Sequence, residues 1–263
     1  MTFTYLSYGG GVQSTTILMM MIEGQIEKAD VVYFADTGSE TPSTYSTIDK
    51  LKKKCLDAGI EFQTVYGSPE EFEEGIKLHE YYIQKEKAPH LPMVKNPQCT
   101  WKFKISPIRR AVRKRIKDLG IDKKPKPWVK CMLGITTDEK HRARKSDVKY
   151  VIHEFPLIQM DYSRRQCETY LKQFNDLKVS KSGCFCCPYM PAKGFNQLRI
   201  EHPQLFQICI DMENSAKSKG TRNGLIGGKS VQLVNHTHTL EDFGIELFPE
   251  DIQCDSIQGG CFL

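Results

Sequence analysis

Three consecutive glycines, Gly9-Gly10-Gly11, stand between a β-branched and aromatic run, Phe3-Thr4-Tyr5-Leu6, and an apolar run opening at Ile17, Leu18, Met20 and Met21. The first run reads as a strand and the second as a helix that stops at Gly24. Strand, glycine loop and helix together aim several backbone N–H groups at one point. The glycines let the backbone approach closely and take positive φ, while the helix start adds partial positive charge. Ser7, Ser14 and Thr15 add hydroxyls at the same rim. The pattern predicts a phosphate-binding loop drawn from Ser7, Gly9, Gly10, Gly11, Gln13, Ser14 and Thr15. It is neither G-x-x-x-x-G-K-[ST], which needs a lysine beside the hydroxyls, nor G-x-G-x-x-G; a plain tight turn is the alternative.

The next strand end repeats the arrangement. Val31-Val32-Tyr33-Phe34-Ala35 reads as a strand and runs into Asp36-Thr37-Gly38-Ser39-Glu40, and Thr41 and Pro42 then suit an N-cap and first helical position. Tyr45, Ile48, Leu51 and Cys55 recur near helical spacing, Gly59 closes the helix, and Ile60 to Tyr66 predicts a third strand. Strands joined by helical crossovers imply a parallel sheet, whose ligands bind at the carboxyl ends of the strands. Asp36, Thr37 and Gly38 therefore join the glycine loop as candidate site residues.

Ser68-Pro69-Glu70-Glu71 has capping-box form and predicts a solvated helix to about Lys87. Lys95 to Lys126 is densely basic, with Lys102, Lys104, Arg109, Arg110, Arg113, Lys114, Arg115 and Lys117 interleaved with Trp101 and Phe103. Ile105, Ile108, Val112 and Ile116 form one apolar stripe that leaves the basic residues exposed. Such a run serves either as a phosphate-holding groove or as an ordinary solvated face. Lys130 to Ile135 predicts a fourth strand ending near Gly134, Asp138, Glu139 and Arg142, and Tyr150 to Ile158 a fifth. Ser163-x-x-Gln166 then caps a helix carrying Cys167, Tyr170, Leu171 and Phe174. The sheet core should be complete by about Leu177. That divides the chain into an α/β nucleotide-binding domain over 1–177 and a C-terminal cysteine-containing helical segment and tail over 178–263.

A chain of 263 residues forms one large domain or a domain with an appendage, and its net charge of +5 permits a nucleic-acid or nucleotide partner without demanding one. Met1 to Leu6 lacks the basic start of a signal peptide and the run Ile17 to Ile22 is too short to cross a bilayer, so a soluble cytoplasmic protein with no membrane partner is expected. Ten cysteines in that setting favour metal, cluster or redox use over a disulfide framework. Cys55, Cys167 and Cys209 fall on apolar helix faces and read as core. Cys184 and Cys187 form C-x2-C, a turn that lets two thiolates converge on one metal or cluster edge. Cys99 and Cys254 or Cys261 can complete a set of four, whereas Cys131 sits in a strand. Four readings stay open: a [4Fe–4S] cluster, Zn²⁺ on the same ligands, a redox dithiol, and plain buried thiols. His236 and His238 alternate on a short extended piece with no third ligand adjacent.

S-x-G-G-G-x-Q-S followed by F-A-D-T-G-S-E-T-P-x-T-Y resembles the PP-loop ATP pyrophosphatases, and among them the phosphoadenosine phosphosulfate (PAPS) reductase-like branch. Cys99-Thr100-x-x-Phe103-Lys104-Ile105-x-Pro107-Ile108, Gly134-Ile135-x-x-Asp138-Glu139-x-x-Arg142 and Phe155-Pro156-Leu157-Ile158 continue the resemblance, which runs from about Tyr5 to Asn214. It implies an α/β fold with a parallel, Rossmann-like (adenine nucleotide alpha hydrolase-like) sheet, helices on both faces, and a C-terminal helical, cysteine-rich segment. It implies ATP or PAPS as ligand, Mg²⁺ with Asp36 as a ligand, Lys104 and Arg109 near the phosphates, and an acidic residue and Arg142 beside the substrate, with Gly134 a nucleotide-binding candidate at the same strand end.

The leading expectation is ATP-dependent adenylation, with cleavage at the α-phosphate, for sulfur transfer to a nucleic acid, tRNA or DNA, from a sulfur donor protein. Asp36 and Arg142 would carry the chemistry. The rival is a sulfonucleotide reductase in which Cys261 attacks the sulfur of PAPS or adenosine phosphosulfate and thioredoxin restores it. Gln13 favours the rival, since ATP-using relatives usually carry Asp there. The tail, Cys254-x6-Cys261-Phe262-Leu263, departs from the reductases' Glu-Cys-Gly ending. A non-catalytic nucleotide-sensing or nucleic-acid-binding module is the third reading.

Overall fold

A computed structural model describes residues 2–67, 75–85, 98–122, 127–179, 182–218, 225–226, 229–230 and 240. The capping box at Ser68, the pair His236 and His238, and Cys254 and Cys261 lie outside the described residues. The chain divides into two compact units, neither of them one continuous stretch: 1–36 with 41–65 and 107–182, and 37–40 with 66–106 and 183–263.

The first unit is built on a sheet of five strands, β1 (Phe3–Tyr8), β2 (Val31–Asp36), β3 (Glu61–Tyr66), β4 (Val129–Met132) and β5 (Val151–Glu154). Their order is β3-β2-β1-β4-β5 and all run parallel. The helices are α1 (Val12–Ile22), α2 (Pro42–Asp57), a segment α5 (Ser106–Asp118), the single turn α6 (Pro156–Gln159) and α7 (Arg164–Leu171). The strands alternate in the two-residue period that sends successive side chains to opposite faces. Leu6, Tyr8, Val32 and Phe34 pack with α1, α2 and α7 through Ile17, Leu18, Ile48, Leu51 and Cys167. Phe3, Tyr5, Val31, Tyr33 and Ala35 pack on the other face with Ile108, Val112 and Ile116 of α5. Helices therefore cover both faces, and the sequence-level stripe on α5 is the one that is buried.

Local signals account for the element ends. Gly24 and Gly59 take φ of +71° and +67° just past α1 and α2, a region costly for any residue with a Cβ. Pro42 opens α2 at N1 behind Thr41. Ser163 caps α7 by accepting the Gln166 N–H at 3.3 Å, while Gln166 Oε1 accepts the Ser163 N–H at 2.8 Å. Two expectations need correction. The fifth strand ends at Glu154 rather than Ile158, because Pro156 lacks the N–H a strand ladder needs and its fixed φ starts α6 instead. The glycine loop begins later than expected, since Ser7 and Tyr8 still pair with Tyr33 and Phe34 in β1.

The second unit holds α3 (Leu78–Gln84), the one-turn α4 (Gln98–Thr100), a π-helical stretch over Trp101–Ile105, α8 (Ala192–Glu201), α9 (Pro203–Ser218) and a small antiparallel ribbon of β6 (Leu225–Ile226) and β7 (Lys229–Ser230). Its core joins Leu78, Tyr81, Tyr82, Phe103, Phe185, Phe195, Leu198, Phe206 and Met212. The helix expected to be solvated up to Lys87 thus buries Leu78, His79, Tyr81 and Tyr82 in its described part, while Gln84 stays exposed. Two neighbouring tyrosines and a leucine at helical spacing outweigh the flanking charge. No helix among the described residues is long and apolar enough to cross a membrane.

Candidate functional site

In the first unit the sheet order reverses at β1: the chain moves outward to β2 and β3, then returns to place β4 on the other side of β1. That reversal opens a crevice beyond the carboxyl ends of β1 and β4, the usual ligand position of open α/β sheets. Leu6 pairs with Met132, so the loops after Tyr8 and after Met132 leave the sheet at the same edge. The glycine loop fills the first. Gly10 takes φ +74°, and a Cβ there would stand 3.2 Å from Thr44 Cγ2. Ser14 ties the loop to the first turn of α1: its hydroxyl donates to the Gly11 carbonyl at 3.2 Å and accepts the Gly9 N–H at 3.3 Å. The opening N–H groups of α1 have no carbonyl of their own helix to bond, and they sit at the positive end of its dipole.

The loop after β4 presses directly on this helix start. A Cβ on Gly134 would lie 2.8 Å from the Ser14 backbone nitrogen and 3.1 Å from the Gln13 carbonyl carbon, so only glycine fits. The 3₁₀ segment Thr137–Arg142 follows. Within it Glu139 accepts from Arg142 Nη1 at 2.6 Å and from Gln13 Nε2 at 3.4 Å. Arg164 donates to Gln13 Oε1 at 3.4 Å, and its backbone N–H to Asp138 at 2.6 Å. At the end of β2, Asp36 Oδ1 accepts the Tyr45 hydroxyl at 2.8 Å. Among the expected loop hydroxyls, Ser7 is buried within β1, and Thr15 is buried with its Oγ1 3.1 Å from the Tyr8 hydroxyl. The first unit thus brings together Gly9, Gly10, Gly11, Gln13, Ser14, Gly134 and Arg142.

The second unit holds Thr37, Gly38, Lys104, Cys99, Cys184 and Cys187. Gly38 takes φ +65°, and a Cβ there would meet Lys77 Cγ at 2.6 Å. Lys104 Nζ stands 3.6 Å from Oε1 of Glu40, whose side chain is 1% exposed. Cys184 and Cys186 belong to the core and Cys99 and Cys187 pack against it, the last two partly exposed. Burial pushes the Cys186 thiol well above its usual range, with Cys184, Cys209 and Cys99 close enough to raise it further. Burial likewise raises Cys55 and Cys131 to about 12 and Cys167 to about 11, which keeps these three as inert thiols. Among the described residues no three His, Cys, Asp or Glu side chains already converge on one metal position. Beside the cysteines, His79 Nδ1 is 2.9 Å from Ser39 Oγ, and burial lowers its pKa below 6.5.

Four residues of these sites take no role from the sequence alone. Glu40 and Tyr45 fall within F-A-D-T-G-S-E-T-P-x-T-Y and Glu139 within Gly134-Ile135-x-x-Asp138-Glu139-x-x-Arg142, so the motifs point at them without assigning a contact, whereas Arg164 carries no distinctive signal.

The profile of the phosphoadenosine phosphosulfate reductase domain matches residues 4–122. Comparison with curated proteins finds no match. Among solved structures, the U34-tRNA thiolase NcsA from Methanococcus maripaludis with its [4Fe-4S] cluster is similar at 16% identity and a TM-score of 0.39, over 92% of this chain and 80% of that one. A likeness that slight carries no argument about this chain. The profile match spans β1 to α5 with the glycine loop between them, so this part of the chain, residues 4–122, is similar to the phosphoadenosine phosphosulfate reductase domain.

Proposed function

We propose that the chain binds an adenine nucleotide at the glycine loop and cleaves it at the α-phosphate, adenylating an oxygen of a nucleic acid that sulfur then replaces. The observation that supports this reading is the packing of Gly134 against Ser14 and Gln13. Two strand ends with glycines at their points of closest approach leave backbone N–H groups, rather than side chains, facing the crevice. Such a surface suits the charge that builds on pyrophosphate as the bond to the α-phosphorus breaks. Arg142, oriented by Glu139, supplies a cation at the same edge. Asp36, its carboxylate oriented by the Tyr45 hydroxyl, would hold Mg²⁺; the ion would neutralise phosphate charge. The basic side chains of α5 that point away from its buried stripe, among them Arg110, Arg113 and Lys114, suit a polyanionic acceptor.

Cys99, Cys184 and Cys187 would hold a metal centre, a [4Fe–4S] cluster or Zn²⁺, with Cys254 or Cys261 of the tail as the expected fourth ligand. Their donor chemistry fits either, and both Cys99 and Cys187 keep some exposure. Such a centre would supply a site for binding or activating sulfur.

Calorimetric competition under anaerobic conditions between a non-hydrolysable ATP analogue and adenosine 3′,5′-bisphosphate tests the reading. Preference for the ATP analogue with a requirement for Mg²⁺ supports adenylation. Preference for the bisphosphate overturns it in favour of a sulfonucleotide reductase, with Cys261 as the nucleophile to replace. Binding of neither leaves a non-catalytic nucleic-acid-binding module.

A further inference from the structure

Between the carboxyl end of β4 and the start of β5 the chain reads Lys140-His141-Arg142-Ala143-Arg144-Lys145-Ser146-Asp147-Val148-Lys149, five cations against one acid. The two strands run parallel, with Val129 beside Val151 and Met132 beside Glu154. The segment joining them must therefore travel back from the carboxyl edge of the sheet to its amino edge. Its cations are laid out along that route, from Lys140 at the crevice edge to Lys149 just before β5. A strand of four residues is about 13 Å long, which matches about four phosphates of one nucleic-acid strand at a rise of about 3.4 Å each.

The route is pinned at several points. His153 of β5 donates from Nδ1 to the Arg144 carbonyl at 2.9 Å, and the Ser146 hydroxyl accepts the Val148 N–H at 3.1 Å. Arg109 of α5 reaches Asp147, Nη2 to Oδ1 at 2.5 Å, so the one acid of the run is matched by an arginine from outside it. The neighbouring acids are also engaged: Glu139 by Arg142 at 2.6 Å, Glu154 by Lys130 at 3.0 Å, and Asp138 by the Arg164 N–H at 2.6 Å. Lys140, Arg144, Lys145 and Lys149 stay exposed. Arg113 lies one helical turn beyond Arg109 and is exposed too, so the contact at Asp147 joins the cations of the segment to those of α5.

We infer that this segment is the track on which a nucleic-acid acceptor lays its phosphate backbone as it enters the crevice, with Lys140, Arg144, Lys145 and Lys149, continued by Arg113, neutralising successive phosphates. The inference rests on the nucleic-acid acceptor proposed above. The run holds no Asn, Gln, Tyr, Phe or Trp to read base edges or stack on bases, so the track positions the acceptor without choosing its sequence. A lipid surface would call for an apolar anchor beside the charge, and Ala143 and Val148 are the only apolar residues of the run.

Binding of the full-length chain to fluorescently labelled bulk tRNA and to a mixed-sequence duplex DNA, measured across a NaCl series, tests this. The triple variant Lys140→Gln, Arg144→Gln, Lys145→Gln is expected to flatten the slope of log affinity against log salt by about 2 to 3, since each lost phosphate contact removes about 0.7–0.9. Its affinity should fall at least about tenfold near 0.1 M NaCl, while affinity for a non-hydrolysable ATP analogue and the urea midpoint stay as in wild type. The charge-matched control Lys53→Gln, Lys172→Gln, Lys178→Gln, all exposed and away from the track, is expected to keep the wild-type slope. A wild-type slope in the track variant overturns the inference while leaving the nucleic-acid reading standing. An equal loss in the control variant overturns it as well, because net charge alone would then account for binding. A wild-type chain that binds neither nucleic acid at low salt, or binds only phosphatidylserine vesicles, overturns both the inference and the nucleic-acid acceptor.

Discussion

Gln13 and Glu139 meet across 126 residues of sequence, Nε2 to Oε2 at 3.4 Å, and the other oxygen of Glu139 takes Arg142 Nη1 at 2.6 Å. One carboxylate thus ties the first turn of the helix behind the glycine loop to the only arginine of the 3₁₀ segment after β4. The arginine is aimed by a neighbour that the loop itself holds. On the proposed reading, Arg142→Ala removes a charge-assisted hydrogen bond to phosphate, worth about 1.5–3 kcal/mol, and weakens adenine-nucleotide binding roughly tenfold to a hundredfold. Glu139→Ala leaves the arginine in place but unaimed, with a smaller loss. Calorimetry on both variants checks the order; wild-type affinity in Arg142→Ala would remove the arginine from the nucleotide site.

Gly134→Ala tests the close approach of the two strand-end loops. The added methyl would stand 2.8 Å from a backbone nitrogen, which cannot swing aside as a side-chain tip can. Overpacking of this kind costs about 1–3 kcal/mol, seen as a lower denaturant midpoint, and nucleotide affinity should fall with it because the loop itself must shift. A variant with unchanged midpoint and affinity would show that the loops separate at no cost.

Tyr45 donates to the oxygen of Asp36 that faces it at 2.8 Å. Tyr45→Phe removes that bond and keeps the ring, so nucleotide binding without Mg²⁺ should hold while the Mg²⁺ midpoint rises several-fold. Asp36→Asn should abolish the Mg²⁺ dependence altogether. Equal Mg²⁺ midpoints in wild type and Asp36→Asn would place the ion elsewhere.

Acid should weaken the second unit through His79. Burial beside Phe185 lowers its folded pKa below 6.5, and a lowered pKa means the unfolded chain takes up the proton first. Stability is therefore full above pH 6.5 and lost as pH falls from there through the folded pKa, by at most about 1.4 kcal/mol per pH unit for one proton. Urea midpoints of wild type and His79→Gln, compared at neutral and mildly acidic pH, should converge towards the acid side. Parallel pH profiles would remove His79 as the source.

Thiol reactivity should follow burial. Cys99 and Cys187 keep partial exposure, while Cys55 and Cys131 are held near a pKa of about 12 and Cys167 near about 11. Brief alkylation at mildly alkaline pH, mapped by mass spectrometry, should mark Cys99 and Cys187 well before those three. Loading the chain with metal should protect the same two; unprotected Cys99 and Cys187 in a metal-loaded chain would exclude them as ligands.

What the chain could announce locally, it announced. Alternation in Phe3–Tyr8 and Val31–Asp36 determined which side chains meet which helix layer, because a strand's period of two is a property of the backbone. Gly24, Gly59, Pro42 and the Ser163–Gln166 pair marked helix ends, because φ preference and capping depend on residues within one turn of each other. Pro156 carried the same kind of signal and was outweighed by the apolar residues around it. The burial of Leu78, Tyr81 and Tyr82 was hidden by neighbouring charge, since a helix reveals its buried face only when its partner is known. Other relationships were decided by tertiary structure alone. Strand order set Gly134 on Ser14 and Glu139 on Gln13, and an isolated bridge set Glu40 against Cys184, 144 residues away. Which distant loops share an edge follows from the register of paired strands and the route of the crossovers between them, and no stretch of sequence shorter than the fold carries that information.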